Sequence, residues 1–176
     1  MKFPTVNSQQ FDLYWRGTLA DYITAIAWSP DGQILAISDA AGEVMLWHSA
    51  NEISSLQADN GVSVDCVAFS RDGQFLAAGG QDGRVKIWHW QQQELIATLE
   101  NAPAWVDKLA WSPTSNQLAF SLGRYVQVWD ANTNDIAVTL NFDTSSVLGI
   151  DWHPDGQYKR DRWVSRGKGL AYSRLG

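Results

Sequence analysis

Three tryptophans, Trp47, Trp88 and Trp129, stand 41 residues apart, and the aromatics Trp28, Phe69, Trp111 and Trp152 step along the chain by 41, 42 and 41. Before each of four turns runs a near-copy of one polar segment: Ser-Pro-Asp-Gly-Gln at 29–33, Ser-Arg-Asp-Gly-Gln at 70–74, Ser-Pro-Thr-Ser-Asn-Gln at 112–117 and His-Pro-Asp-Gly-Gln at 153–157. A period near 41, held through three copies and the start of a fourth, constrains the fold more than any composition does. Each copy must be one supersecondary unit that buries its apolar face on the next.

The unit is clearest from Val64 to Leu99. Val64–Phe69 is apolar and β-branched, Arg71-Asp72-Gly73 is a turn, and Gln74–Ala78 is apolar again. Gly79–Gly83 reads as a second turn, Arg84–Trp88 alternates, and Glu94–Leu99 follows the polar Gln91-Gln92-Gln93. Asp-Gly occurs in both turns, where glycine accepts the positive φ of a tight hairpin and aspartate bonds its own backbone. Four short antiparallel strands with this period predict a propeller blade, and an all-β chain. The first blade takes Tyr22–Trp28, Gln33–Ser38, Glu43–Trp47 and Glu52–Gln57; the third takes Trp105–Trp111, Gln117–Ser121, Tyr125–Trp129 and Ile136–Leu140. A fourth opens with a strand at Val147–Trp152 and then loses the pattern.

The succession from Val64 to Trp88, with its Val-Ala-Phe-Ser, Asp-Gly, Leu-Ala, Asp-Gly and Val-x-Ile-Trp elements, resembles the WD-repeat β-propeller family over residues 11–157. The copies diverge from it. The Trp-Asp pair stands once, at Trp129-Asp130, against Trp47-His48 and Trp88-His89, and no copy has the Gly-His pair before its first strand. Asp82 in the second turn is matched by Ala41 and Gly123. The resemblance implies an incomplete, open or truncated ring of four-stranded blades, and protein docking on the narrow top face.

Outside the repeats, residues 1–10 read as a flexible lead. Phe11–Thr18 alternates like the outermost strand of a preceding blade, which in a closed ring joins the two chain ends. Residues 158–176 form an atypical basic tail, either evolved as such or produced by a shift of reading frame. One choice of codons for 161–170, read one base later, gives a Gly-turn, Val-Lys and Trp order, an expectation that sequencing the encoding DNA checks. Charge changes sign at the same place, with 7 basic against 18 acidic residues over 1–157 and 6 against 1 over 158–176. An acidic body repels phosphate backbones and favours basic partners, so nucleic acid is not an expected partner. No apolar run reaches the ~18 residues of a membrane span. The lone cysteine and the N-terminus, without the apolar segment of a secretory signal, predict a cytoplasmic setting.

The chemistry-bearing residues are few. His48, His89 and His153 are the only histidines, the first two at equivalent positions in separate blades where metal ligands do not converge. Cys66 lies mid-strand with no histidine near in sequence to activate it. Asp31, Asp72 and Asp155 share one turn position, so turn geometry accounts for them. Trp28, Trp47, Phe69, Trp88, Trp111, Trp129 and Trp152 are repeat positions expected in the core between blades. Trp90 and Trp105 fall outside that set. Trp105 and Tyr22 precede their blades' first strands, a position that in the resembled family opens on the top face, with Asp65 and Asp107 as an acidic rim. No catalytic residue, cofactor or metal site is expected. The leading reading is a non-catalytic interaction scaffold for a protein or peptide. The alternatives are a ligand-sensing or carbohydrate-binding propeller, with Trp90 and Trp105 as platforms beside Asn101 and Asp107, and a half-propeller that self-associates through its exposed edges.

Overall fold

The computed structural model describes residues 17–48, 52–143 and 146–156, and the backbone of 164–165 and 170–171. Twelve strands form three four-stranded antiparallel sheets, each a consecutive meander. Blade 1 holds β1 (Ile23–Trp28), β2 (Leu35–Asp39), β3 (Val44–Trp47) and β4 (Ile53–Gln57). Blade 2 holds β5 (Val64–Phe69), β6 (Phe75–Gly80), β7 (Arg84–His89) and β8 (Glu94–Glu100). Blade 3 holds β9 (Leu109–Trp111), β10 (Gln117–Leu122), β11 (Tyr125–Asp130) and β12 (Asp135–Asn141). The first strands line up side by side, β1 against β5 and β5 against β9, which is the radial order of propeller blades.

The apolar alternation decides where the core lies. Ile34, Ala36, Val44 and Leu46 of blade 1 pack on Val64, Val67, Leu76 and Trp88 of blade 2. Phe75, Val85 and Ile87 of blade 2 meet Val106, Leu118, Phe120 and Trp129 of blade 3 in the same way. Every blade therefore has a leading face, turned to the blade before it, and a trailing face, turned to the blade after. Burying both faces in most of the chain supplies the main driving force, since apolar area removed from water dominates folding.

The Ser-x-Asp-Gly turn is a small hydrogen-bonded machine. In blade 1 the Ser29 hydroxyl donates to Asp31 at 2.6 Å, the Gln33 amide donates to the same carboxylate at 3.0 Å, and the Ile34 amide donates to Ser29 Oγ at 2.9 Å. Blade 2 repeats it with Ser70, Asp72, Gln74 and Phe75 at 2.7, 3.0 and 2.9 Å. Gly32 and Gly73 take the positive φ, 71° and 70°, that closes each turn. These bonds hold the Asp31 carboxyl below its ordinary value. At Asp72 partial burial pushes the other way, and the Ser70, Gln74 and Asn116 donors outweigh it. Asn116 belongs to blade 3, so the turns of neighbouring blades touch.

Four expectations are corrected. Gly79 and Gly80 do not form a turn but end β6, paired with Cys66 and Val64 of β5. Glycine is required there by closeness: a Cβ on Gly79 would stand 2.5 Å from Val106 Cγ1 of blade 3. Residues 105–108 lie in a loop, and β9 begins only at Leu109. Val147–Trp152 joins no sheet among the described residues. Val147, Ile150 and Trp152 nonetheless pack on the trailing face of blade 3. The apolar side is present, and the residues after the turn lie outside the described ones. Trp28, expected in the core with the other repeat aromatics, is 51% exposed, because among the described residues no blade lies against the leading face of blade 1. Residues 1–16, with the lead and most of Phe11–Thr18, lie outside the described residues, as does the 158–176 tail except for a short backbone pairing of β13 (Val164–Ser165) with β14 (Leu170–Ala171).

Candidate functional site

One end of the three blades carries the β2–β3, β6–β7 and β10–β11 turns together with the loops that pass from each blade to the next. These segments are tied to one another through the backbone. Asn60 and Gly61 amides donate to Ala41, Asn101 to Gly83, Phe142 to Arg124 and Val147 to Gly123, all within 2.8–3.1 Å. The loops are thereby a fixed shelf, which lowers the ordering cost of any docking event.

Tyr22 and Trp105 stand on this shelf, 84% and 59% exposed. Tyr22 anchors through its carbonyl, which accepts from the Ala40 amide at 2.9 Å. Trp105 precedes Val106, a fully buried residue whose amide donates to Gly80 at 3.0 Å, so the backbone beside the indole is pinned to blade 2.

Asp65 and Asp107 occupy the same repeat position as Thr24. In β1 and β5 the pairing register slips there, between Ile23 and Ala25 and between Val64 and Cys66. A bulge re-aims the extra side chain. Thr24 uses it to meet Ser38 at 3.0 Å and to donate to the Val64 carbonyl of the next blade. Asp65 accepts from Ser63 at 2.5 Å. Asp107 accepts from Ser121 at 2.6 Å and pairs with Lys108 at 3.2 Å. Partial burial would raise the Asp107 carboxyl, but the Ser121 hydroxyl and the Lys108 ammonium outweigh it and hold the carboxyl below its ordinary value. Both acids are thus anchored at the shelf end of the inner strands.

One buried acid was not singled out in the sequence. Asp39 is completely buried, accepting from the Ala41 and Glu43 amides on one oxygen and from the Asp21 amide on the other, at 2.8–3.1 Å. It performs for the first turn what Asp82 does for the second, where the Arg84 amide donates to it at 2.9 Å. The signal was the acid two positions before the alanine that replaced the expected aspartate.

The remaining chemistry-bearing side chains are dispersed. His48 Nε2 meets Ser54 Oγ at 2.9 Å, His89 packs its ring on Phe75 at 4.6 Å, and His153 Nδ1 meets Asp155 at 2.6 Å. Among the described residues no three of His, Cys, Asp and Glu gather as metal ligands would. Burial, with Asp65 and Asp107 nearby, pushes the Cys66 thiol up to about 12, and it donates to the Gly79 and Val106 carbonyls. Such a thiol is a poor nucleophile at neutral pH. Trp90 is half-buried, edge-on to Phe69 at 5.8 Å, with Nε1 donating to Gly73 at 2.7 Å, so it braces blade 2 rather than offering a stacking platform. Asn101 turns its amide inward to the Leu99 carbonyl at 3.0 Å.

Against known proteins, residues 13–48 and 50–89 match the WD40 family, described as WD domain, G-beta repeat. Over those residues the chain carries two WD repeats. A 41-residue stretch is 44% identical to telomerase protein component 1 of Mus musculus, covering 23% of this chain and 2% of that protein. Two solved structures share the fold: one of U3-55K, with a TM-score of 0.68, and one of the RRP9 WD40 repeats, at 0.66. Both are 23% identical over 76% of this chain. The chain spans less than half of either, 43% and 42%.

Proposed function

We propose that the WD-repeat chain is a non-catalytic interaction scaffold whose loop shelf docks a protein or peptide segment rich in basic side chains. What carries this reading is the pair of exposed aromatics, Tyr22 and Trp105, on a shelf whose backbone is already fixed. Exposed Tyr and Trp give large contact area at low entropic cost, and their ring faces attract Lys and Arg cations. The anchored carboxylates Asp65 and Asp107 add an acidic rim, in a body where acidic residues outnumber basic ones. Opposite charge on the partner raises its encounter rate and sets orientation more than affinity. The WD-repeat fold supports a scaffold role in general, and the lone, deeply desolvated thiol suits a cytoplasmic setting.

The test is binding of labelled Lys- and Arg-containing peptides to the purified chain, followed by fluorescence anisotropy. Trp105→Ala and Tyr22→Ala should each weaken the best binder about tenfold or more. Thermal stability should stay within about 0.5 kcal/mol, because both side chains are exposed. Peptides that bind equally well to both variants, or acidic peptides that bind better than basic ones, would overturn the reading.

A further inference from the structure

Asn60 is the one asparagine of this chain that is followed by glycine. That order favours an internal reaction, because glycine puts no side chain in the path of its own backbone nitrogen. The nitrogen of Gly61 attacks the side-chain carbonyl carbon of Asn60, a C–N bond forms, the Cγ–Nδ2 bond breaks, and the Gly61 proton leaves with the side-chain nitrogen as ammonia. Water then opens the cyclic imide at either carbonyl and gives aspartate or isoaspartate. Both residues are exposed, and the side of Gly61 where a Cβ would stand is open, so water reaches them. The Asp31-Gly32 and Asp72-Gly73 pairs present carboxylates instead, each held by a serine hydroxyl, and an anion resists such attack.

The fold ties down the atoms that would react. The Asn60 and Gly61 amides both donate to the Ala41 carbonyl, at 3.1 and 2.9 Å, and the Gly61 amide also donates to Asp59 Oδ1 at 2.8 Å. The nucleophile is therefore bonded twice through the proton it has to lose. Its electrophile is fixed as well, since Asn60 Oδ1 accepts from the Val62 amide at 3.0 Å and lies over Gly42, where a Cβ would collide with it. Gly42 has a φ of 100°, so the turn that seats this loop is built for glycine on both counts.

We propose that Asn60 is a deamidation site kept closed by the loop shelf, reacting only when residues 58–62 release the β2–β3 turn. Reaction is then limited by a local opening, and its rate follows the open fraction. Isoaspartate runs the backbone through the former side chain and adds one methylene between the two amides that share Ala41, so a loop that has reacted cannot retie as before. The shelf also gains a permanent negative charge next to Asp59. No docking side chain takes part, so this stands or falls apart from the proposed function.

The purified chain is incubated in mildly alkaline buffer, with and without urea, and the peptide carrying Asn60 is followed by mass spectrometry. Asn60 should be the first asparagine converted in urea, and should convert at least about tenfold more slowly without it. Hydrogen exchange of the Gly61 amide, read by NMR, should be slowed by the same factor to within about threefold, since both report one opening. Asp59→Ala removes one of the two acceptors at an exposed position, and should speed conversion of the folded chain about threefold relative to the same variant in urea. Equal rates with and without urea, a Gly61 amide that exchanges freely while Asn60 stays intact, another asparagine converting first in urea, or an Asp59→Ala ratio equal to the natural one would each overturn the proposal.

Discussion

The two internal blade contacts are built from the same positions but by different means. Between blades 2 and 3, Trp111 stacks on Phe75 with ring centroids 5.9 Å apart and meets Trp129 edge-on at 6.4 Å. Its Nε1 donates to the Ala68 carbonyl across the gap at 3.0 Å, and Trp152 does the same to Ala110 at 2.8 Å. Between blades 1 and 2 the equivalent residue is Phe69, which has no N–H to donate. There the crossing bonds come from elsewhere: Thr24 donates to the Val64 carbonyl, and Lys86 Nζ donates to Gln57 of β4 at 2.6 Å while pairing with Asp82 at 3.3 Å. One contact is an aromatic stack with a partly buried donor, the other an aliphatic seam strapped at its rim. Repeating a fold thus does not require repeating its bonds; it requires that each buried polar group find some partner.

The largest break in this contrast is Trp111→Ala, which removes stack and donor together and should cost about 3 kcal/mol by urea denaturation. Trp111→Phe converts the second contact to the chemistry of the first, and should cost only about 1 kcal/mol, the worth of the lost hydrogen bond. Next comes Gly79→Ala. The new methyl meets Val106, and a loss of about 2 kcal/mol is expected, relieved in part by a second change, Val106→Ala, measured as a double-mutant cycle. Lys86→Met tests the strap of the other seam and should cost about 1 kcal/mol, with the difference shrinking at high salt.

The smallest effect separates the turns. The folded-state carboxyl of Asp72 lies below its ordinary value of 3.8, so its contribution is fully present above that pH and fades as pH falls through the folded value. Asp72→Asn should therefore flatten the acid limb of a stability–pH curve below about pH 4 and leave the slope at neutral pH unchanged.

Most of the fold was legible because period and alternation carry it. The 41-residue spacing of Trp47, Trp88 and Trp129 located all three blades, and eleven strands ended within a few residues of their observed bounds; β9 was shorter, since the loop around Trp105 is held by bonds to blade 2 that no local pattern announces. Gly79 and Gly80 were misjudged for a related reason. A pair of glycines beside Asp-Gly reads as turn chemistry, whereas here it records a neighbour 27 residues further on. The 51% exposure of Trp28 was illegible because repeat position says what a residue is shaped to meet and not how much of it is covered. In the site, Tyr22 directly precedes β1 whereas Trp105 stands four residues before β9, in a loop; Asp39 escaped because its role moved two positions along the chain.

The close approach at Gly79 also shows that matching places need not hold matching residues. Val106 lies where a Cβ on Gly79 would stand 2.5 Å from it, whereas its counterpart Val64 packs on blade 1, whose matching place holds Ser38, bonded to Thr24. One valine thus meets bare backbone and the other a seam with a bonded hydroxyl, so a side chain tolerated at one seam is a clash at the next.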